Sequence, residues 1–234
     1  MSDSWICNLA YDGKFEALKQ QLCSDRTILT KKDLAGRIPL HWAVSGKHND
    51  IVNFLLQQGS PVDCANWTPV MIASSVGHVE IVSALLGRNA KVDIANQMGQ
   101  TALHYAASKG HLEASLLLTL LAWLLLEHHA DINAQDSYGS TPLHRAASLG
   151  RCAIVRLFLD GYRNQLDINC TDEAGNSPLH LACEEERVDV AKMLIQAGAR
   201  TDIMNKEEKT AFQMAPPSLS RTLQSLNVGS AGDH

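Results

Sequence analysis

Four of the ten histidines recur at regular positions and are the residues best suited to metal or acid–base chemistry. Each stands in a copy of one short motif, as in Thr141-Pro-Leu-His-Arg-Ala146. Imidazole binds metals and titrates near neutral pH. One histidine per copy, however, separates successive rings by about 10 Å, the packing distance of helices, which is too far for a shared ion. We therefore expect hydrogen bonds to the backbone of neighbouring turns from His41, His104, His144 and His180.

Other catalytic signals are missing from the sequence. It contains no phosphate-binding glycine loop, no H-E-x-x-H and no G-x-S-x-G. The 20 basic and 25 acidic residues give a net charge of -5, which argues against a nucleic-acid partner. The apolar run 116–126 is about half the roughly 20 residues that a membrane span needs. We expect a protein that is not an enzyme and that uses no cofactor, metal or membrane.

The cysteines and the first residues bear on the cellular setting. Six cysteines form no C-x-x-C pair, in a chain long enough to fold without disulfides. Met1–Cys7 has no basic region followed by an apolar core, so a secretory signal is not expected. We predict a monomer of the reducing compartments, cytoplasmic and nuclear.

The histidine motif belongs to a repeat that runs along the chain. Its intervals are 33, 30, 33, 40, 36 and 33 residues. The shared alanine of each copy is Ala10, Ala43, Ala73, Ala106, Ala146, Ala182 or Ala215. In five of the seven copies a threonine or serine caps a helix, and where a proline follows the cap it suits the first helical position because its missing N–H would be unpaired there. Leucine and alanine then fall on the buried face.

This motif and its period resemble the ankyrin-repeat family, in which each unit is a β-turn finger and two antiparallel helices. The resemblance implies an all-α solenoid of seven helix-turn-helix units with short fingers and a concave binding face. We predict one domain over 1–226 and a flexible tail over 227–234. The expected units lie near 3–35, 36–65, 66–98, 99–138, 139–174, 175–207 and 208–226.

Three intervals depart from the period. The interval of 30 leaves the finger before Thr68 short, because Asp63-Cys-Ala-Asn-Trp67 lacks the Asp-x-x-Gly turn, so this finger is expected to be stunted or disordered. The interval of 36 places three residues in a surface loop near Asp160–Gln165. The interval of 40 predicts an overlong helix near Leu112–Leu126; an isoform feature or a gene-model artefact leaving an exposed apolar patch remains the alternative.

A closer resemblance rests on five segments, 7–11, 40–43, 103–109, 175–188 and 205–210. They resemble the gankyrin family, the ankyrin-repeat non-ATPase regulatory subunits and assembly chaperones of the proteasome. The resemblance implies that the concave face grips the C-terminal domain of one proteasomal ATPase subunit while the base of the regulatory particle assembles. It also implies the retinoblastoma protein and cyclin-dependent kinase 4 as partners. An ankyrin-type regulator of a cell-cycle kinase is the alternative function.

Candidate partner-binding residues fall into three groups. Arg37 and Lys109 match basic positions that the resemblance sets against acidic side chains of the ATPase, with solvated surface charge as the alternative. The residues that follow the motif histidines are candidate anchors, because aromatic and arginine side chains dominate interface energetics; packing between helices is the alternative. These are Trp42, Tyr105, Arg145 and Leu181.

The third group is acidic. Residues 1–110 carry a net charge of +1 and residues 111–234 one of -6, so a basic partner surface would be oriented toward the C-terminal end. Candidate contacts there are Glu173, Glu184 and Glu185. Leu181–Glu185 also fits L-x-C-x-E, a pattern that engages the retinoblastoma pocket. Because a predicted helix contains it, helix packing is favoured over pocket binding.

Overall fold

The computed structural model describes residues 5–109 and 115–230, which form seven consecutive pairs of α-helices. The first helices are α1 (Trp5–Tyr11), α3 (Pro39–Ser45), α5 (Pro69–Val76), α7 (Ala102–Ser108), α9 (Pro142–Ser148), α11 (Pro178–Glu184) and α13 (Ala211–Met214). The second helices are α2 (Phe15–Ser24), α4 (Asn49–Gln57), α6 (Val79–Leu86), α8 (Ser115–Glu127), α10 (Cys152–Gly161), α12 (Val188–Gln196) and α14 (Pro217–Ser230). A short 3-10 helix, Arg26–Thr30, follows α2.

The first helices begin where the repeated motif predicts. Proline occupies the first turn of α3, α5, α9 and α11. The Thr68 hydroxyl accepts a hydrogen bond from Met71 N at 3.3 Å, and that of Thr141 accepts one from His144 N at 3.4 Å. These bonds satisfy amides that have no partner within the helix, so the predicted capping role of the motif threonine is confirmed at both positions.

Stacking of the helix pairs buries the apolar side chains. Each first helix packs on the first helix of the next pair, and α4 packs on α6, α6 on α8, α8 on α10 and α10 on α12. Leu103, Ala106, Leu143 and Ala146 are fully buried. A single pair could not cover its apolar face, so the fold is stable only as a stack. The predicted all-α solenoid is confirmed.

Five fingers connect the helix pairs and share one turn. The first residue of each finger accepts hydrogen bonds from the amides two and four residues later; for Asp136 the donors are Tyr138 N at 2.9 Å and Ser140 N at 3.0 Å. Such a bonded side chain replaces a backbone turn. The first residues are Asp33, Asn96, Asp136, Asp172 and Asn205.

Neighbouring fingers are also joined backbone to backbone. Ser137 N donates to Met98 O and Glu173 N to Tyr138 O, each at 2.9 Å, and Lys206 N donates to Ala174 O at the same distance. The fingertip glycine is needed where the fingers meet: Gly99 has φ +72° and a Cβ on it would lie 2.9 Å from Ser137 N. The last four fingers therefore form one continuous row.

The finger before Thr68 is stunted, as predicted. Asp63–Asn66 follows the register of Asp93–Asn96, but the next three residues, x-x-Gly, are missing, and Trp67 directly precedes the cap. Ala65 turns the chain with φ 65°, in the left-handed region that favours glycine. In the finger before it, Gly36 has no atom within 4 Å of the position that a Cβ would take.

The long intervals leave the stack intact. At 13 residues, α8 is longer than α6 at 8 or α12 at 9, and the part of the predicted long helix over 112–114 lies outside the described residues. The loop near Asp160 is tied to both neighbouring units, because Tyr162 Oη donates to Glu127 Oε1 and Arg163 Nη2 to Ala197 O, each at 2.9 Å.

The C-terminal end differs from the sequence expectation. Helix α14 continues to Ser230, four residues into the predicted tail 227–234, and residues 231–234 lie outside the described part. Within residues 5–109 and 115–230, no helix has both the length and the apolar content to cross a membrane.

Candidate functional site

Fingers and first helices together present the concave side of the stack, the surface on which solenoids bind partners. Three rows of equivalent positions run along it. The finger-end row, directly before each helix cap, is Arg37, Trp67, Gln100, Ser140, Asn176 and Lys209. The middle row, after each motif histidine or its equivalent, is Trp42, Ile72, Tyr105, Arg145, Leu181 and Met214. The helix-end row, four residues later, is Gly46, Val76, Lys109, Leu149 and Glu185.

The motif histidines brace the fingers from below. His144 Nδ1 accepts from Thr141 N at 3.2 Å, so the proton lies on Nε2, which donates to Asn176 O in the next finger at 2.9 Å. His104 and His180 make the same pair of contacts. His41 instead reaches Cys64 O, because the third finger is short. The predicted backbone role of these histidines is confirmed.

Both nitrogens of these rings are thus occupied by the protein. Burial lowers the pKa of all four histidines and outweighs the backbone hydrogen bonds, which raise it. The rings are neutral at physiological pH. Within the described part of the chain, no three histidine, cysteine or acidic side chains are grouped as metal ligands.

The predicted anchors of the middle row hold the fingers to the helices. Trp42 Nε1 donates to Asp33 Oδ2 at 3.0 Å. The Tyr105 hydroxyl lies 2.8 Å from Asn96 Nδ2, which donates to it. Arg145 Nη2 donates to Asp136 Oδ2 at 2.5 Å.

Each of these bonds spans nine residues, from the first finger residue to the middle row. The three side chains are half-buried, so a face of each borders the groove. Leu181 is also half-buried but has no polar group to offer Asp172.

The Arg145–Asp136 pair is an ion pair with one buried partner. The Asp136 side chain is fully buried, and that of Arg145 is 33% exposed. Burial alone would raise the pKa of Asp136, but the hydrogen bonds from Arg145, Tyr138 N and Ser140 N and the charge of Arg145 together lower it. The carboxylate is therefore ionised, and Arg145 is committed to it before any partner arrives.

The remaining candidates carry charges that face solvent. Arg37 is half-buried with its guanidinium carbon 5.3 Å from the centre of the Trp42 ring, a cation–π contact that fixes its direction. Lys109 ends α7 and is exposed. Lys109 and Glu185 occupy equivalent positions of the helix-end row, with the exposed Leu149 between them. From the fourth to the sixth unit, the helix-end row therefore carries a cation, a leucine and an anion in turn.

The acidic candidates lie at the C-terminal end. Glu173 is exposed on a fingertip, and Glu184 and Glu185 are exposed at the end of α11. Glu185 Oε2 lies 3.7 Å from Arg187 Nη2, and the Nε of the same arginine donates to Ser148 O. Glu184 has no such ion pair within the described residues, so its charge is the more available of the two.

The L-x-C-x-E pattern is helical up to Glu184. Ala182 and Cys183 are fully buried against the stack, and burial raises the pKa of the Cys183 thiol to about 12. An extended peptide conformation here would require unfolding of α11, so helix packing accounts for the pattern.

Sequence reasoning missed the finger residues that complete the middle row. Asp33, Asn96 and Asp136 each bond to the side chain nine residues later, and this fixed offset is a signal that could have identified them. It also missed Trp67. Because the third finger is short, the Trp67 ring packs edge-on against the Tyr105 ring, with the two ring centroids 4.7 Å apart.

Known proteins share this arrangement of repeated helix pairs and fingers. The family model for ankyrin repeats, in three copies, matches residues 6–96, 61–122, 88–165 and 119–207. The chain belongs to the ankyrin-repeat family. Its similarity to the ankyrin repeat domains of human ASB11 and of Bcl-3 agrees with this. Their TM-scores are 0.80 and 0.78 at 22% identity, over 95% and 94% of this chain and 97% of each neighbour. At this identity the likeness shows the fold alone.

Curated relatives are similar over shorter segments. The chain is 47% identical over 72 residues to the human 26S proteasome non-ATPase regulatory subunit 10, which covers 30% of this chain and 32% of that protein. It is 34% identical over 123 residues to the probable 26S proteasome regulatory subunit p28 of Saccharomyces cerevisiae, 49% of this chain and 54% of the yeast protein. The match thus spans about a third of the human protein and half of the yeast one.

Proposed function

We propose that this ankyrin-repeat protein is a protein-binding scaffold of the proteasome that grips the C-terminal domain of one ATPase subunit during assembly of the regulatory-particle base. The observation that carries the proposal is the 47% identity to regulatory subunit 10. The similarity to yeast p28 supports it. The role requires a rigid binding surface and no catalytic step.

The charge arrangement of the groove supports a protein partner with two differently charged ends. Arg37 and Lys109 lie in the second and fourth units, and Glu184 and Glu185 lie in the sixth. Charges spread along an elongated interface orient a partner and raise its association rate more than its affinity. The partner is expected to present acidic side chains to the N-terminal half of the groove and basic ones to the C-terminal half.

The stiffness of the groove supports the same role. The hydrogen bonds from the motif histidines to the finger backbone, together with the middle-row bonds, fix the fingers before binding. Little conformational entropy is therefore lost on association. Arg145 and Trp42 therefore act mainly by positioning the surface. Half-buried Arg37 and exposed Lys109 and Glu184 are the residues proposed to contact the partner through their charges.

The test is affinity purification of the full chain from cell extract at low and high salt. A triple variant, Arg37→Glu, Lys109→Glu and Glu184→Lys, reverses the groove charges. Glu184 is chosen over Glu185 because Glu185 pairs with Arg187. The matched control, Lys19→Glu, Arg156→Glu and Asp160→Lys, makes the same charge changes at exposed positions of α2 and α10, on the other side of the stack.

The expected result is that the wild type and the control recover one proteasomal ATPase with other base subunits, and that the groove variant does not. High salt should weaken recovery by the wild type, because exposed charge pairs are screened. Recovery of a kinase or the retinoblastoma protein without proteasome subunits contradicts the proposal. So does equal recovery by the groove variant and the control.

A further inference from the structure

The row of fingers has a gap where the third fingertip is missing. A cleft of about 530 Å³ opens there between the finger that contains Gly36 and the finger that contains Met98. Its floor is formed by Trp67 and Tyr105, the ring pair that the short third finger brings together. The gap is therefore a surface that a regular ankyrin repeat would have covered with its own chain.

The walls of the cleft retain the hydrogen-bonding groups of a continuous row. In the complete fingers, the second residue of each donates its amide to the third residue of the preceding finger. The positions that would pair with the missing fingertip are the Ala35 carbonyl and the Gln97 amide. Within the described part of the chain, neither has a hydrogen-bond partner. One wall thus offers an acceptor and the other a donor.

The side chains that line the cleft define the charge of an occupant. Among the described residues that line the cleft, Lys32 and Arg37 are charged and none is acidic. Asp33, in the same finger, is engaged by the amides of Ala35 and Arg37 and by the Trp42 indole.

Apolar groups complete the surface. Met98, which lines the cleft, is 42% exposed, and Leu34, in the finger that contains Gly36, is 109% exposed. A carboxylate next to an apolar side chain complements such a surface.

We propose that this cleft is a docking site for an acidic loop of the protein partner, whose backbone takes the place of the missing third fingertip. One amide of the loop donates to the Ala35 carbonyl and one carbonyl accepts from the Gln97 amide. A carboxylate of the loop pairs with Lys32 and Arg37, and an adjacent apolar side chain covers Trp67 and Met98. The inference rests on the proposed function, since it adds a contact for the same class of partner.

The direct test uses a peptide and needs no proteasome subunit. The full chain, labelled with ¹⁵N, is titrated with the blocked hexapeptide leucine-aspartate-glutamate-glycine-leucine-glutamate. A second peptide with asparagine and glutamine in place of the acids is the control. The acidic peptide should shift the Gln97 amide and the Trp67 indole signals in a saturable way, and the neutral peptide should bind more weakly.

Two variants test the site itself. Lys32→Gln should lower the affinity about two- to fivefold, the effect of one exposed charge pair, whereas Lys19→Gln on α2 should leave it unchanged. Insertion of Gln-Met-Gly after Asn66 repeats the sequence of the next finger and fills the gap, so peptide binding should be lost. The control variant carries the same insertion after Asn164, in the exposed loop that follows α10. It should bind the peptide as tightly as the wild type does.

The outcomes separate the cleft from the proposed function. Absence of saturable shifts at Gln97 and Trp67, or equal binding by the Asn66 insertion variant, overturns the cleft. This holds even if the charge-reversal purification succeeds. Failure of that purification with intact peptide binding contradicts the ATPase partner and leaves the cleft standing. Urea unfolding tests whether each variant is folded. If the insertion variant is not folded, the peptide affinity of Lys32→Gln tests the cleft instead.

Discussion

Replacement of Arg145 by leucine removes the counter-ion of a buried carboxylate and should destabilise the fold. The Asp136 side chain is fully buried, and without Arg145 its donors among the described residues are the amides of Tyr138 and Ser140. Leucine fits this position, because Leu181 occupies it in the next unit beside the half-buried Asp172. The loss should therefore report the charge and not a packing defect.

The size of the effect follows from the burial of the two partners. Breaking a fully buried pair costs roughly 3 to 5 kcal/mol, and since Arg145 is one-third exposed we expect about 2 to 3 kcal/mol for Arg145→Leu. Asp136→Asn together with Arg145→Leu should cost only about 1 kcal/mol, because no charge is then left buried. Asparagine already begins the fingers at Asn96 and Asn205, so it preserves the turn.

The assay is urea unfolding at neutral pH followed by far-ultraviolet circular dichroism. With a denaturant slope of about 2 to 3 kcal/mol per molar, the single variant should unfold about 1 M earlier than the wild type. The double variant should recover more than half of that shift. A change below about 0.5 kcal/mol for Arg145→Leu, or equal losses in the single and double variants, would refute a stabilising role for the pair.

Three further predictions concern stability and reactivity. Because burial lowers the pKa of the four motif histidines, the unfolded chain takes up more protons than the folded one below pH 6.5. As the pH is lowered from 7 to 5, the free energy of unfolding should therefore fall by up to about 1.4 kcal/mol per pH unit for each histidine. Urea titrations across this pH range measure the loss. Gly99→Ala should destabilise more than Gly36→Ala by urea unfolding. Both have positive φ, but only at Gly99 does the new Cβ meet the backbone of the next finger. Equal losses would contradict a tight finger row. An Ellman titration should modify exposed Cys23 rapidly and Cys183 only on unfolding, since burial raises the pKa of the Cys183 thiol to about 12.

The repeat made the fold predictable from sequence. Motif threonines, prolines and alanines at nearly constant intervals determine where each first helix begins and which face it buries, and the structure has the predicted seven pairs. Histidines could be assigned to the backbone because one per layer cannot converge on a ligand. Both inferences needed only local chemistry and spacing.

The groove was less predictable because it depends on contacts between units. The sequence made Trp42 and Arg145 candidate anchors, with packing between helices as the alternative, and the structure bonds each of them to a finger residue nine positions earlier. Deletion of three residues before Trp67 indicated a short finger. Its consequence, a cleft with an unpaired carbonyl at Ala35 and an unpaired amide at Gln97 among the described residues, depends on the neighbouring fingers and emerged only in three dimensions.

Hydrogen exchange tests most directly whether the concave side holds a protein partner. The full chain is compared with and without the purified C-terminal domain of the proteasomal ATPase recovered in the affinity purification. Protection is predicted in the fingers and in α3, α7 and α11, with α4, α6 and α10 unchanged. Protection confined to those second helices, or no change when the domain is bound in excess, would contradict the concave binding face.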